Sequence, residues 1–564
     1  MSKQLSSAIA RHVLPFTKRA TSVAKPMVAR MSKHQQASLQ SEDYIKPTTE
    51  QSKSAVTQRS SASSGGDTSK LTQLANGVRV ATEASQGHFA SLGVYVDAGS
   101  RFEDDYTRGV SHILDRLAFK STKNRTSEKM VADLEAAGGN VMCSSSRESI
   151  MYQCALLPQD LPSMLEIMAD TIQNPIISEV ELEEQQVSAG HEINEYWQKP
   201  EAILPELLHT VAFKDNTLGN PLLCPIEKLE TMSINNVKTF MNTWYKPERI
   251  VVAAVGADHD YVVDLTTKFF GDMKAPFSSS DSSSGSSSAP TTQPSKGGLF
   301  TSLFGKKQEQ DAKGTNSTIL RPNFDTLSQE KAHYTGGMCL IEDASQQFSH
   351  INVGFEGLSI HDDDIYALAT LQLLLGGGSS FSAGGPGKGM YSRLFSNVLN
   401  HHAWIESCMC FNHCYSDSGL FGISGSCYPG YEQMLLEIIA RELELTTRTT
   451  RGGILQVELD RAKNQLRSSV LMNLESKMVQ VEDLGRQVQV HGYKVAADEL
   501  CARIEKVTRQ DMIRVARRVF GGGVAKVTGG SGLPSIVAQG NVKGLEGAEK
   551  VLAHHGLGNN PKWN

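Results

Sequence analysis

The sequence reads GVYVDAGSRFEDD over residues 93–105 and NVGFEGLSIHDDD over residues 352–364. Each stretch alternates over the length of a strand, enters an acidic turn and leads into a segment with helical periodicity. A second pair of matching segments, Val-Glu-Leu at residues 180–182 and 457–459, lies in charged helical sequence. The members of these pairs are 259 and 277 residues apart (352 − 93 and 457 − 180), which predicts a tandem duplication with insertions and deletions.

Each predicted half closes with a helix followed by a short β-rich run, at residues 250–255 and 524–527. Strands and helices alternate irregularly, without the Gly-rich turn of a dinucleotide-binding βαβ unit. The sequence therefore predicts an α+β protein of two homologous, sandwich-like domains joined by a linker.

Composition sets the predicted domain boundaries. Residues 275–330 include SSSDSSSGSSS and sequence rich in Pro, Gly and Gln, which buries too little apolar surface to offset the entropy of ordering it. We predict an N-terminal domain over residues 69–274, this low-complexity insertion, a C-terminal domain over residues 331–540 and a tail over residues 541–564.

Charge is divided unevenly along the chain. Residues 1–68 hold ten Lys/Arg and four Asp/Glu, whereas residues 69–564 hold 45 and 57, net −12. The first acidic residue is Glu42, and the Ser-rich sequence with spaced Lys/Arg before it is typical of a mitochondrial transit peptide; a disordered basic arm is the alternative. The acidic body argues against nucleic acid and favours basic partners. No apolar run reaches the roughly 18–20 residues of a membrane-spanning helix.

The segment GVSHILDRLAFKST, from Gly109, predicts a helix with two distinct faces. His112, Asp115 and Arg116 share one face. The opposite, apolar face comprises Val110, Ile113, Leu114 and Leu117. Two ligands four residues apart with an acid beside the second resemble the arrangement by which an H-x-x-E-H helix holds zinc and a general base, but here two of the three residues differ.

These differences weigh against a metal in this chain. A guanidinium stays protonated and has no lone pair to give, so Arg116 cannot ligate zinc. Asp115 is one methylene shorter than Glu, which would draw a catalytic base back. Glu192, in GHEINEYW, could supply a ligand, but with His112 it makes only two donors. An exposed polar face is the other interpretation. We expect no catalytic residue and no metal ligand here.

Residues 371–375 run into the glycine loop, GGGSSFSAGGPGKG, residues 376–389. A phosphate-binding loop is excluded, because Ser382 stands where G-x-x-x-x-G-K-[ST] requires its first glycine. Backbone without side chains suits contact with an extended peptide; a flexible surface loop is the alternative. The candidate substrate-binding residues are Gly376, Gly377, Gly378, Ser379, Ser380, Phe381, Ser382, Ala383, Gly384, Gly385, Pro386, Gly387, Lys388 and Gly389.

The alternating segment after the glycine loop holds weaker signals. A C-x-C-x-x-H-C cluster comprises Cys408, Cys410, His413 and Cys414. Its spacing fits no standard zinc site, so we predict core and edge thiols of a strand. Glu406 and Asp417 are further candidates for binding positive side chains, and solvated carboxylates are the alternative.

Together these residues resemble the pitrilysin/insulysin-type inverzincin peptidases, and within that family the alpha-subunit group of the mitochondrial processing peptidases. The resemblance covers about residues 75–535 outside the Ser-rich insertion. GGGSSFSAGGPGKGMYSRLFSNVLN is similar to the glycine-rich loop of this group, SHILDRLAFKST to its degenerate metal helix, and YKPERIVVAAVGADH to its first closing strand.

The resemblance implies a LuxS/metallohydrolase-like peptidase fold and a heterodimer with a catalytic beta subunit that bears the zinc. This chain would need no cofactor and would hold the basic presequences of imported precursor proteins in the mitochondrial matrix, through the glycine loop, Glu406 and Asp417. The alternative is a structural core subunit of the respiratory cytochrome b–c complex, peripheral on the inner membrane, either alone or as a dual role.

Two departures from that group lead to expectations about structure. The family loop usually opens with four glycines, and Ser379 in the fourth position should stiffen it slightly. Asp115 and Arg116 replace a Glu-Lys pair but keep its charges. With no metal, we expect the Arg116 guanidinium to contact Asp115 or Glu192.

Overall fold

The computed structural model describes residues 69–274, 324–380 and 390–559. The predicted transit peptide and polar segment, and most of the Ser-rich insertion, lie outside the described residues. Two α+β halves follow one another along the chain, each built on a six-stranded mixed sheet. Among the residues described, no helix is both long and apolar enough to cross a membrane.

The first half spans residues 69–274. Its strands are β1 (Ser69–Gln73), β2 (Arg79–Glu83), β3 (Ala90–Val96), β4 (Asn140–Ser145), β5 (Ile150–Leu156) and β6 (Ile250–Val255). Its helices are α1 (Val110–Leu117), α2 (Ser127–Ala137), α3 (Leu161–Gln173), α4 (Glu179–Trp197), α5 (Pro200–Ala212), α6 (Ile226–Leu229), α7 (Ile234–Trp244) and α8 (His259–Phe270). Every residue of β3 and β6 is buried, because helices cover both faces of the sheet centre.

The second half spans residues 337–559, after the short helix α9 (Phe324–Gln329). Its strands are β7 (Gly337–Glu342), β8 (Ser349–Gly357), β9 (Gly377–Ser379), β10 (Ile405–Cys414), β11 (Gly419–Cys427) and β12 (Ser535–Gly540). Its helices are α10 (Ile365–Leu375), a π-helical segment (Leu394–Leu399), α11 (Glu432–Thr447), α12 (Gln456–Asn473), α13 (Lys477–His491), α14 (Ala497–Glu505), α15 (Arg509–Phe520), α16 (Ala525–Thr528) and α17 (Ala548–His554).

The two sheets share five strands in one order. The first runs β1-β2-β6-β3-β5-β4 and the second β7-β12-β8-β11-β10-β9. In each, one pair is parallel, β2 with β6 and β7 with β12, and the other neighbours are antiparallel. The predicted tandem duplication is confirmed, and the extra strands β1 and β9 lie at opposite edges of this shared frame.

The repeated Val-Glu-Leu has a local cause. Glu181 and Glu458 occupy the third position of α4 and α12 and accept hydrogen bonds from the backbone N–H of Ser178 (3.3 Å) and Leu455 (2.7 Å). A carboxylate at this position satisfies an otherwise unpaired donor at a helix start. The duplication thus preserves a helix-capping glutamate in both halves.

Each half also covers one sheet face of the other. α13 of the second half packs Val481, Leu484 and Val488 against the first sheet, and the Tyr95 hydroxyl donates to the Val481 carbonyl (2.7 Å). A Cβ at Gly485 would lie 2.0 Å from the Tyr95 ring, so glycine permits this close approach. In return, α5 of the first half packs on the second sheet. Leu204 and Leu208 of α5 share one buried apolar cluster with Leu420 of β11 and Val537 of β12.

Three sequence predictions need correction. Residues 524–527 are not a strand, because most of this run forms the one-turn helix α16, and the closing strand is β12. The low-complexity segment ends before residue 330, since Phe324 of α9 packs on Trp244 of the first core. The core also extends past residue 540: α17 follows β12 as α8 follows β6, and its Leu552 is buried.

Candidate functional site

Helix α1 begins at a position that favours glycine. Gly109 has φ +85°, and a Cβ there would lie 2.3 Å from Sγ of Cys224. The carboxylate of Glu103 accepts hydrogen bonds from the N–H of Gly109 (2.7 Å), the N–H of Ser111 (2.8 Å) and the Ser111 hydroxyl (2.6 Å). Burial raises the pKa of Glu103 to about 7, against these donors. The acidic turn thus caps and orients α1.

His112 is buried, although it lies on the polar face of α1. It is 4% exposed, and its Nδ1 accepts a hydrogen bond from the Cys224 N–H (3.2 Å). The ring proton is therefore on Nε2, which donates to Oε2 of Glu192 (3.0 Å). Burial lowers the pKa of His112 to about 4, with Asp115 opposing and Arg116 adding to the shift. The imidazole is neutral near pH 7. The interpretation of this helix face as exposed is wrong for His112, because its side chain is buried.

Arg116 forms an ion pair with Glu192 on α4. Its Nη2 contacts Oε2 of the carboxylate, and its Nη1 lies 3.5 Å from the Ser188 hydroxyl. The side chains of Arg116 and Glu192 are 25% and 28% exposed. The expected contact of Arg116 with an acidic neighbour is confirmed for Glu192. A guanidinium therefore supplies the positive charge beside this carboxylate.

The Asp115 side chain contacts the sheet and makes no hydrogen bond with Arg116. Its carboxylate accepts hydrogen bonds from the hydroxyl (2.7 Å) and the N–H (3.4 Å) of Ser145 on β4. Burial raises the pKa of Asp115, while Ser145 and the neighbouring cation oppose that shift. Asp115 thus ties α1 to the sheet edge through Oδ2.

The donor set of this cluster does not fit a zinc site. Arg116 offers no lone pair at the position of a second histidine, and its guanidinium covers the Glu192 carboxylate. Zinc in proteins needs at least three such donors with free lone pairs. In the described ranges, no three His, Cys, Asp or Glu side chains are grouped so as to hold a metal. That the chain works without a metal stays a prediction.

The first limb of the glycine loop is held by backbone conformations that favour glycine. Gly376 and Gly377 have φ +58° and +98°. A Cβ would lie 2.4 Å from Cβ of Ser392 in the first case and 2.0 Å from the Cys408 carbonyl oxygen in the second. At Gly378, in contrast, a Cβ would meet nothing within 4 Å. The first two glycines are structural, and the third leaves its backbone open on one side.

Glu406 binds this limb of the loop. Its two carboxylate oxygens accept hydrogen bonds from the hydroxyls of Ser379 (3.1 Å) and Ser380 (3.2 Å). The Ser380 N–H donates to the Glu406 carbonyl (2.7 Å). The hydrogen bond from Ser379 to Glu406 agrees with the expected stiffening of the loop at this position. In this structure the Glu406 carboxylate binds the loop of its own chain. Its binding of substrate stays a prediction.

The loop returns at a second anchor. The Ser392 hydroxyl accepts a hydrogen bond from the Gly377 N–H (3.0 Å), and Arg393 makes a buried ion pair with Glu458 of α12 (2.9 Å). The candidate residues between these anchors lie outside the described residues, and their predicted contact with substrate is untested. These are Phe381, Ser382, Ala383, Gly384, Gly385, Pro386, Gly387, Lys388 and Gly389.

Asp417 makes its contacts inside the molecule. Its carboxylate pairs with the Arg101 guanidinium of the first half through Oδ2–Nη2 (2.8 Å) and Oδ1–Nη1 (3.2 Å), and Oδ2 also accepts the Ala332 N–H (2.8 Å). Burial opposes ionisation, but Arg101 outweighs it and lowers the pKa of Asp417. Sequence reasoning missed Arg101, whose only signal was a basic residue before an acidic turn. Binding of substrate by Asp417 stays a prediction.

The cysteine cluster is part of the sheet. Cys408 is fully buried on β10, and burial raises the pKa of its thiol to about 12. Cys410 and Cys414 lie on the same strand and are half-buried. The prediction of core and edge thiols is confirmed.

Residues 79–226 match the family described as Insulinase (Peptidase family M16), and residues 231–466 match the Peptidase M16 inactive domain. Together these matches cover most of the first half and much of the second.

Curated relatives are similar over most of the chain. The Neurospora crassa mitochondrial-processing peptidase subunit alpha is 50% identical over 507 residues, 85% of this chain and 88% of the relative. The probable Schizosaccharomyces pombe subunit alpha is 39% identical, over 86% of this chain and 88% of the relative. The Homo sapiens subunit alpha is 32% identical, over 86% and 84%. The chain therefore belongs to the M16 peptidase family, in its group of mitochondrial-processing peptidase alpha subunits.

Proposed function

We propose that this chain recognises and holds the basic N-terminal presequences of imported precursor proteins, has no peptidase activity of its own, and presents the presequences to a zinc-bearing beta subunit. The ion pair between Arg116 and Glu192 carries this proposal. It uses the carboxylate and the helix face that a metal would need, and a guanidinium cannot activate water as a Lewis acid.

The anchored glycine loop supports the holding role. Its first limb is fixed by Gly376, Gly377 and Glu406, while Gly378 presents backbone with no side chain beside it. A fixed limb with open backbone at Gly378 suits transient hydrogen bonding to an extended peptide. The loop lies at a sheet edge, where β9 pairs only with β10 in the described sheet.

Charge supports a basic ligand. Residues 69–564 carry net −12, so the body attracts positively charged segments over distance and speeds their encounter at low salt. The relatives are named as alpha subunits of a mitochondrial-processing peptidase, a name that supports a beta partner and a mitochondrial location for this chain.

The test combines purified components. We expect cleavage of a presequence-bearing precursor by the full chain together with the beta subunit of the same organism, and none by this chain alone. Metal analysis should find zinc with the beta subunit. Cleavage by the isolated chain, in a preparation free of the beta subunit, would overturn the proposal.

A deletion tests the holding role. Removing residues 376–389 should weaken binding of a fluorescent basic presequence peptide at least about tenfold, since it removes the proposed contact element. The matched control removes fourteen residues, 278–291, from the Ser-rich insertion and should bind as the parent does. Equal affinities of both deletion variants would argue against the holding role.

A further inference from the structure

The turn that joins β10 to β11 carries a buried link between the halves. Asp417 in this turn pairs with Arg101, whose side chain is 5% exposed, while that of Asp417 is 18% exposed. The two hydrogen bonds engage both carboxylate oxygens and both terminal nitrogens of the guanidinium. A buried bidentate pair of this kind fixes distance and orientation together.

Two neighbouring residues extend the same link. Ser416 donates to Glu148 of the first half from its hydroxyl (2.6 Å) and its N–H (3.1 Å). The Tyr415 hydroxyl donates to Nε2 of His209 on α5 (2.8 Å), since the Nδ1 proton of that ring is given to the Pro205 carbonyl (2.7 Å). Three consecutive residues of one turn thus make polar contacts with the first half.

The opposite end of β10 holds the glycine loop. Ser407, Cys408 and Met409 pair with the three residues of β9. From Met409 to Tyr415 the strand advances six residues, about 20 Å. Along this length β10 pairs continuously with β11, which pairs in turn with β8. A strand held in this way transmits displacement of one end to the other with little bending.

We propose that Arg101 and Asp417 are positioning residues for β9, the first limb of the glycine loop: they fix the β10–β11 turn against the first half, and β10 carries that placement to β9. The inference rests on the proposed holding function for its consequence in catalysis, but not for its structural content. Neither residue needs to touch the presequence. Their substitution should alter where β9 lies and how firmly it pairs with β10.

The structural part is tested on the isolated full chain by hydrogen exchange. In Asp417→Asn, exchange of the peptide that contains the Ser380 amide, which donates to Glu406 across the sheet edge, should rise at least about threefold. The control is Asp170→Asn, which breaks an equally buried pair with Arg125 (3.0 Å) inside the first half. Unchanged exchange in Asp417→Asn, or an equal rise in both variants, would overturn the proposal.

The functional part is tested in the complex with the beta subunit. Each variant is assayed at the same interval below its own Tm. Asp417→Asn should then raise KM for a presequence substrate several-fold and leave kcat nearly unchanged, whereas Asp170→Asn should change neither. Arg101→Lys keeps the charge without the bidentate geometry and should lie between Asp417→Asn and the parent. A change in kcat alone would overturn the positioning role. If hydrogen exchange responds but the parent binds no presequence, the proposed function fails while the structural link stands.

Discussion

The two halves share one five-strand frame, yet their equivalent helices bury opposite chemistry. α1 of the first half holds a neutral histidine, an aspartate and an ion-paired arginine. At the offset of 259 residues, those positions fall on buried leucines of α10. These are Leu371, Leu374 and Leu375.

The difference shows that a polar helix face is retained only with its partners. Glu192 on α4 remains half-buried, so the first half needs a cation beside it, and Arg116 provides one. At the offset of 277 residues, Ser469 replaces Glu192 in α12, and no charge has to be balanced there. Leucines can then fill the space against the second core.

The largest expected effect would introduce a metal into the first half. The double variant Asp115→Glu/Arg116→His writes H-x-x-E-H onto α1, beside a Glu192 that already meets His112. Since three ligands then become available, we expect about one zinc per chain after purification in zinc-containing buffer. Metal analysis measures this, with Asp115→Glu alone as the control that should bind none. Absence of zinc in the double variant would show that the first half also lacks a usable donor geometry, even with three ligand side chains present.

The converse exchange should break the second half. Leu375→Arg places a guanidinium at a position that is fully buried and lacks a carboxylate in the role of Glu192. We expect a loss of about 4 kcal/mol or more, seen as low soluble yield or a shifted urea midpoint. Leu375→Met, which keeps volume and polarity, should cost less than about 1.5 kcal/mol. Similar midpoints for both variants would contradict the comparison.

Arg116→Leu copies the second half into the first. It leaves Glu192 without its cation and should cost about 1–3 kcal/mol, less than for a fully buried pair because both side chains are partly exposed. Adding Glu192→Leu should recover much of that loss. Urea unfolding of the four proteins in the double-mutant cycle gives the coupling. A coupling near zero would show that the pair is incidental.

Gly377→Ala and Gly378→Ala are a matched pair of variants in β9, the edge strand that has no counterpart in the first sheet. The first introduces a Cβ at φ +98° and 2.0 Å from a carbonyl oxygen, whereas the second meets open space. We expect about tenfold weaker binding of a presequence peptide for Gly377→Ala and less than about twofold for Gly378→Ala. Circular dichroism should show both variants folded. Equal affinities would remove the distinction between structural and open glycines.

The smallest effect concerns the last helix of each half. α8 contacts its sheet through apolar residues and through the neutral hydroxyls of Thr72 and Thr82, which meet His259 (2.8 Å each). His555, just after α17, bonds instead to the carboxylates of Glu444 and Glu437 of α11 (2.7 Å each). Burial would lower the pKa of His555, but the two carboxylates outweigh it and raise it. A raised folded pKa stabilises fully below the unfolded value near 6.5, and the contribution is lost as pH rises through the folded value. His555→Gln should therefore cost most at pH 6, by urea midpoint, and little at pH 9.

The sequence predicted the parts of the fold that have a local cause. The alternation in residues 93–105 and 352–364 encodes β3 and β8, and the repeated Val-Glu-Leu encodes two capped helices. Residues 524–527 differ from the predicted strand because a short Val- and Ala-rich run fits a strand or a helix, and only the glycines beside it favour a single turn.

The candidate site was predicted where one helix or one spacing defines it. His112, Arg116 and Glu192 meet as the H-x-x-E-H comparison suggested. The pairing of Asp417 with Arg101, 316 residues away, was not predicted. No local pattern specifies which turn of one domain meets which strand end of the other.

The reciprocal placement of α5 and α13 bears on how the polypeptide responds to cutting. Each helix covers one face of the sheet of the opposite half with buried apolar side chains. Each half therefore completes the core of the other. A protease that severed the chain between residues 274 and 324 would leave a noncovalent pair that still migrates as one particle. Separate synthesis of either half would yield a polypeptide with an uncovered sheet, prone to aggregate until its complement arrives.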